Sequence, residues 1–213
     1  SGSMANEDSG MDNGQSRISN LVDALNESID TLMSMNPQNR IAVVAYSSGT
    51  TTLLPLDHYT KIDSRTEYFS LDRTRPNNNN QNDPTQLYTR ALAGNNYIRK
   101  TTDVSGGTNI HMGVDAGMDI LKNEADTSVE IDGKQVNRVP SLILLSDGAP
   151  TYSGADSQGW NNNYVSWWDP SGSEGTGYSA GQGNRYDQGD AAYEKFAMKT
   201  IMNAAYNKQQ VSE

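Results

Sequence analysis

Two unbroken apolar runs of strand length constrain this chain more than any other feature. They are Ile41-Ala42-Val43-Val44-Ala45-Tyr46 and, far downstream, Ser141-Leu142-Ile143-Leu144-Leu145-Ser146. Runs without polar alternation fit strands covered on both faces, as in a parallel sheet sandwiched by helices. The second run stops abruptly at Asp147-Gly148, and residues 50–56, β-branched and apolar, read as a strand reached from the first run through Ser47-Ser48-Gly49.

Amphipathic helices are predicted around these strands. In residues 16–35, Ile18, Leu21, Val22, Leu25, Ile29, Leu32 and Met33 recur at three- and four-residue spacing, with Ser16 as N-cap and Asn36-Pro37 as the stop. A second helix is predicted over residues 109–123, with Ile110, Val114, Gly117, Met118 and Leu121 on one side, and a third over about 190–209, with a stripe of Tyr193, Phe196, Ala197, Thr200, Ile201 and Ala204. Residues 124–138 read as a polar connection or hairpin turning at Asp132-Gly133. The order helix, strand, strand, helix, strand, helix implies an α/β layer arrangement. Two stretches break it. Residues 57–96, with the Asn77-Asn78-Asn79-Asn80 run, read as an insertion holding one helix near 85–93. Residues 149–190, rich in Gly, Asn and Ser, carry Trp160, Tyr164, Trp167, Trp168, Tyr178 and Tyr186.

Composition narrows the functions. With 16 Lys+Arg against 26 Asp+Glu, a net charge of −10 argues against nucleic acid as partner. The absence of Cys excludes disulfides, thiolate metal sites and cysteine nucleophiles. No apolar run is long enough to cross a bilayer, so no membrane insertion is expected in this segment. A length of 213 residues suits about one domain with insertions.

Ligands of an open parallel sheet gather where strand ends and loops converge. Asp147 follows such a strand, Ser105-Gly106-Gly107-Thr108-Asn109 precedes a helix, and Ser1-Gly2-Ser3 comes shortly before the first helix. Hydroxyls and a carboxylate are hard oxygen donors, as Mg²⁺ prefers. In this order Ser1-Gly2-Ser3-Met4, Ser16-Arg17-Ile18, Gly106-Gly107-Thr108-Asn109-Ile110 and Leu145-Ser146-Asp147-Gly148 resemble the von Willebrand factor A domain. The resemblance implies an α/β, doubly wound, mostly parallel sheet with helices on both faces, and a metal-ion-dependent adhesion site. Carried over residue by residue, Ser1 and Ser3 become the serine ligands and Thr108 the threonine ligand. Asp147 becomes the second acidic member, often acting through a bound water, and the ion is Mg²⁺ (or Mn²⁺ or Ca²⁺).

The family's motif begins with an Asp two positions before Ser1, at the end of a first, central strand, and the family's last strands follow the closing helix. The resemblance therefore implies a single partial domain over residues 1–213, with polar insertions at about 57–96 and 149–190. It also implies a gap of about 9–10 Å, two strand spacings, between residues 41–46 and 141–146. Ser1-Gly2-Ser3 is alternatively a cloning remnant. The insertions resemble those of Gram-positive pilus-tip adhesins, in which Trp167-Trp168 would anchor contacts or pin the loop. The implied function is adhesion at the bacterial cell wall or pilus tip, without catalysis. The partner is a host matrix or cell-surface protein that offers a carboxylate to the ion.

Other signals compete. An intracellular module of the same family would partner an ATPase in metal insertion or complex remodelling. Gly177-Tyr178-Ser179-Ala180-Gly181 matches the nucleophile pattern of serine hydrolases but lacks the strand and helix that pattern needs. His58 and His111 are candidate bases, Asp8 and Asp12 candidate additions to a cation site, and Asn26-Glu27-Ser28 is a glycosylation sequon in mid-helix.

Overall fold

Local signals set the first helix. α1 (Arg17–Met35) starts where the Ser16 side chain accepts a hydrogen bond from the Ser19 amide, and it ends at Asn36 before Pro37. Ile18, Val22 and Ile29 are buried along its apolar stripe, together with Ser19 and Asn26, whereas Leu32 is exposed. The computed structural model describes residues 2–5, 16–72 and 86–146. Beyond these it describes Thr200, Ile201, Ala204, Ala205 and Lys208, all in helical conformation. The chain divides into two compact units: residues 1–43 with 51–105, and residues 44–50 with 106–213.

β1 (Ile41–Tyr46) and β2 (Thr50–Asp57) pair as a two-stranded sheet. Only Ser47-Ser48-Gly49 joins them, and parallel neighbours need a crossover of a dozen residues or more, so the pair is antiparallel. In the first unit, β5 (Gln86–Ala93) is the axis of an antiparallel sheet. β6 (Asn96–Asp103) pairs with one side of it along its whole length. On the other side lie β3 (Tyr59–Thr60) and β4 (Phe69–Leu71), two pieces of one line, with Tyr59 opposite Ala93 and Phe69 opposite Thr89. Residues 61–68 leave that line as an excursion and rejoin it where the Arg90 amide donates to the Tyr68 carbonyl. The β5–β6 turn is Gly94-Asn95, and Gly94 has φ +58, the first loop position at which a type II′ turn takes glycine.

The core of this unit includes Ile29, Leu53, Leu54, Tyr59 and Phe69, all but fully buried. α1 packs on β4, and a polar side chain makes the closest tie. Asn26, 7% exposed, donates from Nδ2 to the Phe69 carbonyl (2.9 Å) and accepts at Oδ1 from the Phe69 amide (2.9 Å). The asparagine of the sequon is therefore occupied in holding strand to helix. Beside it, Lys61 Nζ lies 2.7 Å from Asp30 Oδ2 and 2.9 Å from Glu67 Oε2, closing the excursion against α1. These hydrogen bonds raise the Lys61 pKa. Burial, reinforced by the Asp30 carboxylate, pushes the Tyr68 hydroxyl up to about 12.

In the second unit, α2 (Ile110–Asn123) buries Ile110, Val114 and Met118 against one another, with Tyr46, Leu121 and Ala204 packed alongside. Gly113 makes room for Tyr46: a Cβ there would stand 2.7 Å from the ring. β7 (Ser128–Ile131) and β8 (Lys134–Asn137) form the expected hairpin, turning at Asp132 (φ 51) and Gly133 (φ 75), the two positive φ angles of a type I′ turn.

Four expectations are corrected. The fold is not a doubly wound, mostly parallel α/β sheet: the described residues form two long helices and mostly antiparallel sheets. The continuous apolar run of β1 suggested burial on both faces, yet each of its residues is only half-buried. Residues 85–93 are not helical. Leu, Ala, Arg and Gln favour helix, but Leu87, Thr89, Ala91 and Ala93 alternate into the core and the ladder overrides propensity. The region read as an irregular insertion thus holds the largest sheet described. Residues 141–146 are not a strand either. They carry no ladder among the described residues, and Ile143 is 77% exposed, since an apolar run becomes a strand only where a neighbour pairs with it.

Asn26→Ala removes two buried hydrogen bonds and orphans both peptide groups of Phe69, so chemical denaturation should show a loss of roughly 2–4 kcal/mol. An effect below about 0.5 kcal/mol would contradict the packing described. Stability also depends on alkaline pH. Folded Tyr68 and Lys61 both hold their protons above their ordinary values of 10.0 and 10.5, so their contribution is full below pH 10 and falls as pH rises toward 12. Tyr68→Phe should flatten that decline in melting temperatures measured across this range.

Candidate functional site

The segment ahead of α2 folds into a buried polar loop. Gly107, Thr108 and Asn109 are all buried, Thr108 being 5% exposed. Asn109 caps the helix, its Oδ1 accepting from the Met112 amide at 3.2 Å. Its own amide donates to the Ser47 carbonyl at 2.7 Å, and its Nδ2 to the Ser48 carbonyl at 3.5 Å. One step earlier the Gly107 amide donates to Ser48 Oγ at 3.0 Å. The loop between β1 and β2, tightened by the Ser47 amide donating to the Gly49 carbonyl, is thus stitched to the loop before α2.

Gly106 sits in the seam. Its φ is +83, and a Cβ there would stand 3.1 Å from Ser48 Oγ and 3.2 Å from Ser47 Oγ. Glycine takes this φ without strain, and a Cβ would crowd both hydroxyls. Two serine hydroxyls therefore flank one α-carbon beside the loop that carries Thr108. On α2 itself, buried His111 places Nε2 3.3 Å from Asp115 Oδ2, one turn on.

Of the predicted ligands, Thr108 lies in this loop of the second unit. Ser3 lies in a short 3₁₀ turn, Gly2–Ala5, that packs on α1 in the first unit, and its side chain is outside the described residues. Ser1 and Asp147 lie outside the described residues, as do Asp8, Asp12, Trp160, Trp167, Trp168 and Ser179. His58 takes a backbone role: its amide donates to Asp57 Oδ1, and its Nδ1 is 3.3 Å from the Asn39 carbonyl oxygen. The parts that sequence reasoning missed are Ser47 and Ser48, treated as a simple strand connection. The turn-forming Ser-Ser-Gly between two strands was the available signal.

No family model, curated protein or solved structure matches this chain.

No helix among the described residues is long and apolar enough to cross a membrane. No group of three or more His, Asp or Glu that could hold a metal is present among them either. The oxygen chemistry at the loop is that of hydroxyls. These are hard donors and fit a small divalent cation that takes few carboxylates and keeps several waters.

Asn109→Ala should cost about 1–2 kcal/mol through loss of the cap and of the Ser48 contact. Ser48→Ala should cost less, yet speed hydrogen exchange at the Gly107 amide. Unchanged exchange there would show that Ser48 does not hold the loop.

Proposed function

We propose that this chain is a divalent-cation-dependent binding module that engages a carboxylate-bearing protein, in the manner of the von Willebrand factor A adhesins its motifs resemble. The observation that carries the reading is the immobilised Gly107-Thr108-Asn109 loop, pinned on both sides of Thr108 by bonds to Ser47 and Ser48. Rigid positioning suits a ligating hydroxyl, because an oxygen that need not be ordered on binding costs less entropy. The reading rests on these residues and not on a doubly wound sheet.

Thr108, on the second unit, would offer its hydroxyl oxygen to Mg²⁺, Mn²⁺ or Ca²⁺. Such an ion, when bound, supplies Lewis acidity at an open position. The chain's own part is orientation and electrostatics. Ser48 and Asn109 fix the loop, and the amino end of α2, which has no acidic residue in its first turn, carries partial positive charge that favours an incoming carboxylate. The work suits a bacterial cell-surface or pilus-tip protein bound to a host matrix protein.

Mg²⁺ at about a hundred times its Kd should stabilise the chain by about 2.7 kcal/mol in thermal unfolding. That increment should vanish in EDTA and in Thr108→Ala. Capture of matrix proteins should follow the same pattern, and capture that is equal in Mg²⁺ and EDTA sinks the reading.

A further inference from the structure

One face of the β5–β6 ribbon carries two charges that no carboxylate among the described residues answers. Alternation along β5 buries Leu87, Thr89, Ala91 and Ala93, so Gln86, Tyr88, Arg90 and Leu92 share the other face. The register with β6 sets Tyr88 opposite Thr101, Arg90 opposite Arg99 and Leu92 opposite Tyr97. Directly opposed residues project from the same face, with Cα atoms about 4.5–5.5 Å apart. Two arginine side chains, neither able to shed its proton, therefore leave the sheet from directly opposed positions. Like charges so placed are destabilising.

The chain has 26 carboxylates with which to relieve this pair. Arg90 and Arg99 are both exposed, and neither makes an ion pair among the described residues. Asp103, on the same face, is taken by Gln86 Nε2 (3.4 Å) and lies four residues from Arg99 along β6, roughly 13 Å away. Asp30 and Glu67, near the Tyr68 that pairs with Arg90, are both held by Lys61. Lys100, on the opposite face, donates to the Thr52 carbonyl.

Aromatic rings bracket the pair. Tyr97 is 60% exposed, and the Arg99 guanidinium lies 5.4 Å from its ring centroid. Stacking of this kind holds the guanidinium plane and leaves its N–H edges to a ligand. Tyr88, half-buried, lies along the strand with its hydroxyl donating to Gln86 Oε1 at 2.9 Å.

We propose that this face binds an acidic polysaccharide, with sulfate or carboxylate groups held by Arg90 and Arg99 and a sugar ring laid on Tyr97. The guanidinium edges suit bidentate oxyanions. A ligand that touches both arginines must lie across the sheet face, where the backbone of β5 is already paired with β6 on one side and with β3 and β4 on the other. An acidic peptide laid over β5 finds no main-chain partners there, and the outer edge of β6, without a ladder among the described residues, is what the polyglutamate arm of the test addresses. A charged sugar brings both an anion and an apolar ring face. This site is independent of the cation reading above.

The test titrates the full chain, in EDTA, with a sulfated hexasaccharide, a polyuronate hexamer, a neutral glucan and a polyglutamate peptide of matched charge. Binding of either or both acidic sugars is expected, and which of them binds names the anion. Affinity should fall about tenfold or more in Arg90→Gln and in Arg99→Gln, and by a smaller factor in Tyr97→Ala. It should also weaken as salt rises, while Lys100→Gln changes it less than about twofold. Both arginine variants should keep or gain thermal stability, since each relieves repulsion. Arg99→Lys, which keeps charge but loses the fork, should still weaken binding, so the test holds if a glutamine variant folds poorly. Polyglutamate binding as tightly as the sugars, acidic sugar binding indifferent to both arginines, or no sugar binding at all overturns the proposal.

Discussion

The paired hydrogen bonds between Asn26 and the backbone of Phe69 are the constraint on which the first unit depends. β4 is three residues long and is cut off from β3 by the excursion at 61–68, so its ladder to β5 is too short to fix it alone. Asparagine in mid-helix carries a propensity cost. Here its amide offers one donor and one acceptor, as a neighbouring strand would, and extends the sheet's bonding to α1. Magnitudes favour this contact over the more visible ion pairs. Two buried bonds contribute about 1 kcal/mol each, and losing them leaves two desolvated peptide groups at about 1–3 kcal/mol apiece. The Lys61 bridges end on carboxylates that are about half exposed and contribute about 0–1 kcal/mol each. Lys61 orders the excursion; Asn26 positions the strand.

The second unit solves a similar problem with smaller groups. Its apolar cluster of Ile110, Val114 and Met118 is modest, and Gly113 admits the ring of Tyr46 close to the α2 backbone. The loop ahead of the helix is fixed by hydroxyl and amide bonds rather than by bulk. Those same bonds make it rigid and oxygen-rich, and this is what recommends it as a ligand site. Packing and candidate function therefore draw on one set of residues: Ser47, Ser48, Gly106 and Asn109 organise the loop, and Thr108 sits within it.

What was legible in the sequence was local. Ser16 and Asn109 announced helix starts, Pro37 a stop and Asp132-Gly133 a turn, because each acts within a few residues of itself. The sheet of the first unit was not legible, since β5 is written in helix-favouring residues and becomes a strand only through partners on both sides. The alternation of Leu87, Thr89, Ala91 and Ala93 was present but muted by two alanines and a threonine. Residues 141–146 fail the opposite way: strong strand composition with no ladder among the described residues. The role of Asn26 was hidden because its partner lies 43 positions away. At the candidate site the Gly106-Gly107-Thr108-Asn109 run could be read as a loop before a helix. Its dependence on Ser47 and Ser48 could not, because that contact spans some sixty residues.

The chain's charge gives the two proposed sites a common problem. At −10 the molecule repels any acidic ligand at long range, and both sites are proposed to take one. Repulsion from distributed charges is screened beyond about 8 Å at physiological ionic strength, whereas a bidentate contact at a guanidinium, or a carboxylate on a bound cation, acts within about 3 Å. Recognition is then confined to short range and to ligands that match the local geometry, and diffuse polyanions gain little from the surface as a whole. Added salt eases approach slightly by screening the acidic body, but at the exposed arginine face its second effect, weakening the ion contacts themselves, is the larger. At the hydroxyl loop the second effect is smaller, because a coordination bond is less sensitive to screening than an exposed ion pair. Selectivity at such sites would work by subtraction: the net charge opposes acidic ligands, and only a close geometric match offsets it.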